Sequence, residues 1–211
     1  VMAPIDPSKG TLFDTYGKLP TFDDRIEAGG TVGYVIIALG VVGVLLGLFK
    51  LISIILMTGS MRSTSKTKEA GTGNPLARVF KVYEDHRKDS VETLEMKLDE
   101  QILKEGPKID RFNDILKVLA SVAPLLGLLG TVIGMIVTFT AITIYGAGDP
   151  QLMADGISQA LMTTVMGLCA AIPLLLIHAV CSAASRSAAQ LLDEQAAGLV
   201  AERAEKEGVA A

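Results

Sequence analysis

The sequence predicts an all-α integral membrane protein with three transmembrane helices, two of them continued into a cytoplasmic helical bundle. Half of the 211 residues are hydrophobic, and a mean hydropathy of +0.45 is too apolar for an ordinary soluble domain of this length. The runs 28–49, 118–148 and 156–185 carry no charge apart from His178. Each exceeds the roughly 20 residues that cross a hydrocarbon core of about 30 Å. Elsewhere apolar residues recur at helical spacing, and the strict alternation of a membrane barrel is absent.

Residues 1–30 are expected to be an external segment ending in an interfacial helix. In PTFDDRIEAGG, Thr21 can cap a helix with Asp24 three residues on, and Phe22 and Ile26 share one face. The chain opens on Val1, so upstream sequence is expected to have been removed, and the first apolar run starts too late and runs too long for a signal peptide. That run, 31–57, is the first span. Its glycines at 33, 40, 43 and 47 form a small-residue stripe for a neighbouring helix, and Lys50 near its inner end is expected to snorkel to the headgroups.

Residues 58–114 read as a cytoplasmic linker followed by helices. TGSMRSTSKTKEAGTGN, 58–74, is rich in turn formers and reads as a flexible connector. From Pro75 to Glu105, Val91, Leu94, Leu98 and Ile102 repeat at three and four, with Glu84–Lys88 and Glu100–Lys104 one turn apart on the wet face. Gly106-Pro107 is expected to break the chain, so that Ile109, Phe112, Leu116 and Leu119 lead directly into the second span, 115–148, as one rod from 107 to 145. Such a rod is about 58 Å long. Asp149-Pro150 supplies a cap and a first helical residue for the third span, 149–184. The tail, 185–211, keeps a narrow, mostly apolar stripe of Ala188, Leu191, Leu192, Gln195, Leu199 and Val200 and is expected to extend that helix into the cytoplasm.

Lysine and arginine set the orientation. Eleven lie in 58–114 and none in 146–155, which places the long segment and the C-terminus inside and the N-terminus outside. The net charge of −4 gives no reason to expect a nucleic-acid partner.

Polar residues within the spans are the candidate site. Starting the third helix at 150 places Thr164 about 21 Å from the outer tip, level with Thr131 in the opposing rod. Gly127, Gly130 and Gly134 surround Thr131, and Gly167 follows Thr164 by three, so small residues accompany the hydroxyls on both helices. Gln159 and Thr163 lie on the adjacent strip, and Thr138 lies further along the second span. Small residues beside polar ones describe both a tight helix interface and a narrow pore wall. An interhelical hydrogen bond in a membrane contributes only about 0.6 kcal/mol, which leaves both readings open.

Apart from Asp149 and Asp155 at the outer end of the third, no Asp, Glu or Arg lies within the spans, so the chain alone lacks the midplane titratable group that a proton relay needs. Walker, HExxH and GxSxG motifs are also missing, so neither an enzyme nor a cofactor site is expected. His86 has no second His or Cys nearby and reads as a surface residue. Cys169 and Cys181, about 18 Å apart along one helix, read as small apolar residues and not as a disulfide.

APLLGLLGTVIGM, 123–135, followed by GISQALMTTVMGLCAAIPLLLIHAV, 156–180, resembles the MotA/TolQ/ExbB proton-channel proteins, most closely the ExbB-type energisers of TonB systems. With the first span the resemblance covers 26–205. It implies a bacterial inner-membrane subunit, periplasmic at its N-terminus and cytoplasmic at its C-terminus. It further implies a homo-oligomeric, pentameric ring around single-span helices of an ExbD-like partner, with proton flow passed to a TonB-like protein. In that family the threonines matching Thr131 and Thr164 face the pore near an Asp on the partner's helix; Thr138, Gln159 and Thr163 become supporting polar sites. The family usually has Glu in G-I-A-E-A-L, whereas Gln159 stands in the matching run here. A TolQ-like or MotA-like load and a non-conducting scaffold are the alternatives.

Overall fold

Capping chemistry accounts for most of the helix boundaries. In the computed structural model, residues 22–146 and 150–210 are described, and they form six α-helices with no strand among them. Helix α1, Phe22–Ala28, carries Asp23 and Asp24 in its first turn, where carboxylates complement the helix dipole. The expected cap Thr21 lies outside the described residues, as does Asp149. Helix α2, Gly30–Thr67, starts at Gly30 with φ +56°, a backbone conformation that suits glycine. Helix α3, Pro75–Asp85, has Asn74 as its cap, accepting from the Ala77 N–H, with proline at the first position. Ser90 caps helix α4, Val91–Asp110. Helix α5, Asn113–Tyr145, ends at Gly146, whose φ of +75° and N–H bond to the Ile142 carbonyl close the last turn. Helix α6, Pro150–Ala210, begins at the expected proline.

Three helical stretches, Gly30–Thr67, Val91–Tyr145 and Met153–Gly208, are long and apolar enough to cross a membrane. Contacts divide the chain into two compact units, one holding residues 22–39, 123–146 and 150–170, the other 40–122 and 171–210. In the first unit, Gly29 and Gly33 lie against Met166, which fills the space that their missing side chains leave. In the second, Ile54, Met61, Leu76, Phe80, Leu94 and Leu192 belong to one buried cluster built by α2, α3, α4 and α6. Gly43 and Gly47 there accept the side chains of Leu174 and Ile177.

Three expectations are corrected. The segment 58–67 is helical, not a flexible connector, and only 68–74 lies between α2 and α3. Met61 is fully buried seven residues after Ile54, on the same face, and the Asn74 amide donates to the hydroxyls of Ser60 at 2.9 Å and Thr64 at 2.7 Å. These contacts extend the helix through a polar stretch.

Gly106-Pro107 does not break the chain. Helix α4 runs through Pro107 to Asp110, and the break falls at Arg111–Phe112, where Phe112 has φ +71°. Pro107 is exposed, so the one helix bond that it removes is replaced by solvent. The Ile109 carbonyl would bond Asn113 N–H in a continuing helix. It is instead met by the Lys50 ammonium and, at 3.2 Å, by the Ser185 hydroxyl.

Lys50 therefore does not snorkel. It is 6% exposed and its ammonium donates inward to Ile109. The unmet carbonyl at the end of α4 gives a buried cation an acceptor that a headgroup was expected to provide.

Candidate functional site in the paired spans

The candidate residues lie where α5 and α6 pack in the first unit, and glycine makes their approach possible. A Cβ at Gly127 would stand 3.0 Å from the Thr163 carbonyl oxygen and 3.2 Å from Thr164 Cα. One at Gly134 would stand 2.7 Å from the Gly156 carbonyl, and one at Gly167 2.8 Å from that of Ala123. Backbone meets backbone along this seam, as small-residue packing in membranes predicts.

The five polar candidates divide by exposure. Thr163 and Thr138 are buried, at 0% and 4% exposure. Thr163 fills the notch at Gly130, and the Thr138 hydroxyl fills that at Gly156. Thr131, Thr164 and Gln159 are half-buried, leaving part of each open at the edge of the seam.

All four threonine hydroxyls donate to carbonyls of their own helix. Thr131 reaches Leu128 at 2.6 Å, Thr138 reaches Gly134 at 3.0 Å, Thr163 reaches Ala160 at 2.9 Å and Thr164 reaches Ala160 at 3.4 Å. Such bonds satisfy the proton of each hydroxyl and leave its lone pairs free. A hydroxyl so placed can accept from water or from an acid beside it. It neither takes up nor gives up a proton at ordinary pH.

Thr131 and Thr164 do not share one level, as the helix lengths predicted. Gly127 packs against Thr164 and Gly130 against Thr163. Thr164 is thus level with Gly127, about one turn, or roughly 6 Å, from Thr131. The register is fixed by which glycine receives which threonine, and counting from the helix ends misses it.

A cavity of about 440 Å³ was not foreseen. Glu27, Gly30, Asp155, Ser158 and Gln159 are among its lining residues. Gln159 folds close over Gly30, where a Cβ would stand 2.4 Å from its amide nitrogen. The sequence signal was present: Asp155 precedes Gln159 by four residues and so lies one turn away on the same face. Glu27 had no such signal, because it comes from a helix remote in sequence.

Both cysteines are free, Cys181 buried and Cys169 exposed. Among the described residues no group of three His, Cys, Asp or Glu side chains could hold a metal ion.

The sequence pattern of the MotA/TolQ/ExbB proton channel family matches residues 71–194. A putative biopolymer transport protein ExbB homolog of Methanothermobacter thermautotrophicus is 29% identical over 172 residues, which cover 72% of this chain and 60% of that protein. The putative biopolymer transport protein ExbB-like 1 of Synechocystis is 39% identical over 97 residues, 44% of this chain and 38% of that one. The biopolymer transport protein ExbB of Salmonella typhimurium is 33% identical over 82 residues, 39% of this chain and 34% of that one. The matched regions thus span at most about three fifths of these relatives' lengths.

Proposed function

The chain belongs to the MotA/TolQ/ExbB proton channel family, and from that premise we propose that it is the ring subunit of an inner-membrane motor driven by the proton-motive force. In this reading five copies surround the single-span helices of an ExbD-like partner. Proton flow between ring and partner moves a TonB-like protein and so energises uptake across the outer membrane. Relatives named as biopolymer transport proteins support the TonB load over the Tol or flagellar one.

The observation that carries the reading is the half-burial of Thr131 and Thr164. Both sit at the edge of the glycine seam of Gly127, Gly130, Gly134 and Gly167 with lone pairs free, and neither is closed off as Thr138 and Thr163 are. A partner carboxylate beside them would supply the titratable group that these spans lack. With the N-terminus outside, the cavity beside Glu27 and Asp155 is the external mouth of the path, and Gln159 its inner polar rim.

The test is proton flux in vesicles holding this chain with an ExbD-like partner. Replacing both Thr131 and Thr164 by Val should abolish partner-dependent flux while the ring stays assembled. Undiminished flux removes both residues from the mechanism. One observation favours a second reading: Gln159 stands where the family carries Glu, which suits a non-conducting scaffold. Absence of flux under any gradient, with partner present, would select the scaffold.

A further inference from the structure

Imidazole is the side chain that gains and loses protons between pH 5 and 8, and the uncharged runs of the three spans hold one, His178. Its Nδ1 atom is buried and has no hydrogen-bond partner among the described residues, although the ring as a whole is half-buried. A buried nitrogen left unpaired costs free energy, so it needs water or another polar group beside it. Along α6, His178 lies fourteen residues beyond Thr164, toward the C-terminus.

A polar strip continues from it. Cys181 and Ser185 follow His178 at three and seven residues, so the three share one face of α6. Both are buried; the thiol donates to the Gly47 carbonyl at 3.8 Å, and the Ser185 hydroxyl to that of Ile109. The Asn113 amide donates to Ser185 at 3.1 Å and to the exposed Asp110 carboxylate at 3.2 Å. Asn113 is 7% exposed, and its Oδ1, like the His178 Nδ1, has no partner among the described residues. One unpaired acceptor therefore stands near each end of a strip about 10 Å long that closes on an exposed carboxylate. Gly47 receives both Ile177 and Leu116, which brings the exposed Lys117 of α5 to the level of His178. Lys50 of α2 lies within electrostatic reach of Cys181 and Asp110.

We infer that His178 is a proton-transfer residue of the path, taking a proton at one ring nitrogen and releasing the proton on the other. The imidazolium formed on protonation loses its second N–H proton to water, which leaves the neutral ring as the other tautomer. Turning of the ring, or exchange of the two protons through water, restores the first. With the C-terminus inside, the strip from His178 past Ser185 and Asn113 to Asp110 is the cytoplasmic exit. The inference rests on the transport reading above and adds a titratable group of this chain to a path whose acid otherwise comes from the partner.

Vesicles holding the full chain with an ExbD-like partner compare the parent with His178→Asn, which keeps a polar side chain but does not titrate. Partner-dependent flux should fall on the order of a hundredfold in the variant. Imidazole added on the side of the C-terminus should restore it in proportion to its concentration, a response that a purely structural role would not give. Melting temperature and oligomer size should match the parent's. Flux in His178→Asn equal to the parent's overturns the inference, as does a loss that imidazole leaves unchanged or one that accompanies loss of assembly. A parent without partner-dependent flux would instead overturn the transport reading, and this inference with it.

Discussion

Gly130 and Thr163 touch so closely that a Cβ on the glycine would stand 2.3 Å from the threonine hydroxyl oxygen and 2.4 Å from its Cβ. Thr163 is fully buried, β-branched and tied to its own helix, so it has little freedom to turn aside. Gly130→Ala should therefore push α5 from α6 and cost about 1–3 kcal/mol, the usual penalty of overpacking. Gly59 offers the control, since a Cβ there meets nothing within 4 Å. Gly59→Ala should be neutral or stabilising by up to about 1 kcal/mol, because alanine is the better helix former. Thermal unfolding in detergent compares them; equal losses in both variants would show that the seam is not close-packed.

Glu105 is fully buried on α4, where Arg78 donates to it from Nε at 2.8 Å and Nη2 at 2.6 Å, Gln101 at 2.9 Å and Lys108 at 3.0 Å. Burial pushes its carboxyl up, but the bonds from Arg78 and then Lys108 outweigh that and leave it below the ordinary value of 4.5. A depressed folded value stabilises the protein above the ordinary value, and that contribution is lost as pH falls through the folded one. Stability of the α3–α4 hairpin should thus decline below about pH 4. Glu105→Gln should flatten this acid-side decline and cost roughly 3 kcal/mol at neutral pH by leaving Arg78 without its anion. Melts followed by circular dichroism at neutral and acid pH decide it; an unchanged neutral melt would mean that the pair contributes nothing.

The buried Lys50 poses a question of sign. Its bond to the Ile109 carbonyl is charge-assisted and contributes about 1.5–3 kcal/mol, yet keeping an ammonium out of water costs several kcal/mol. The two nearly cancel, so Lys50→Met should move the melting temperature little. Ser185 still donates to the same carbonyl at 3.2 Å. Adding Ser185→Ala removes the second donor and leaves a buried acceptor unmet, which should cost a further 1–3 kcal/mol or so. Trypsin reports the local consequence: cleavage at the exposed Lys108 and Arg111, which flank the elbow, should rise in the double variant before cleavage elsewhere does. Uniform cleavage along the chain would show general unfolding and no special role for this carbonyl.

What the sequence revealed depended on how local each signal was. An uncharged run of sufficient length needs no partner to be read, and Pro150 marks a helix start by its own geometry. The glycines at 127, 130, 134 and 167 also stood out, because small residues at three and four make one stripe on any helix. The end of α4 did not, because the Ile109 carbonyl in its last turn is met by Lys50 and Ser185, 59 and 76 positions away. Gly106-Pro107 was the stronger local breaker and lost to that distant pair. Likewise the level of Thr131 against Thr164 follows from Gly127 and Gly130 meeting particular threonines, which no single helix encodes.

Gln159 offers the sharpest test of what this chain lacks. Its amide lies over Gly30 and lines the cavity that Glu27 and Asp155 also line. An amide neither takes up nor releases a proton at ordinary pH, so partner-dependent flux in the parent should show no acid-side inflection arising at this position. Gln159→Glu has nearly the same shape and adds a titratable group beside two existing carboxylates. Flux in reconstituted vesicles should then acquire an inflection that Asp155→Asn shifts, since removing one neighbouring negative charge changes how readily the new carboxyl ionises. Gly30→Ala should disturb the same inflection by displacing the residue 159 side chain from its place over the helix start. A Gln159→Glu profile that overlays the parent at every pH would put residue 159 off the proton path, whatever its position in the cavity.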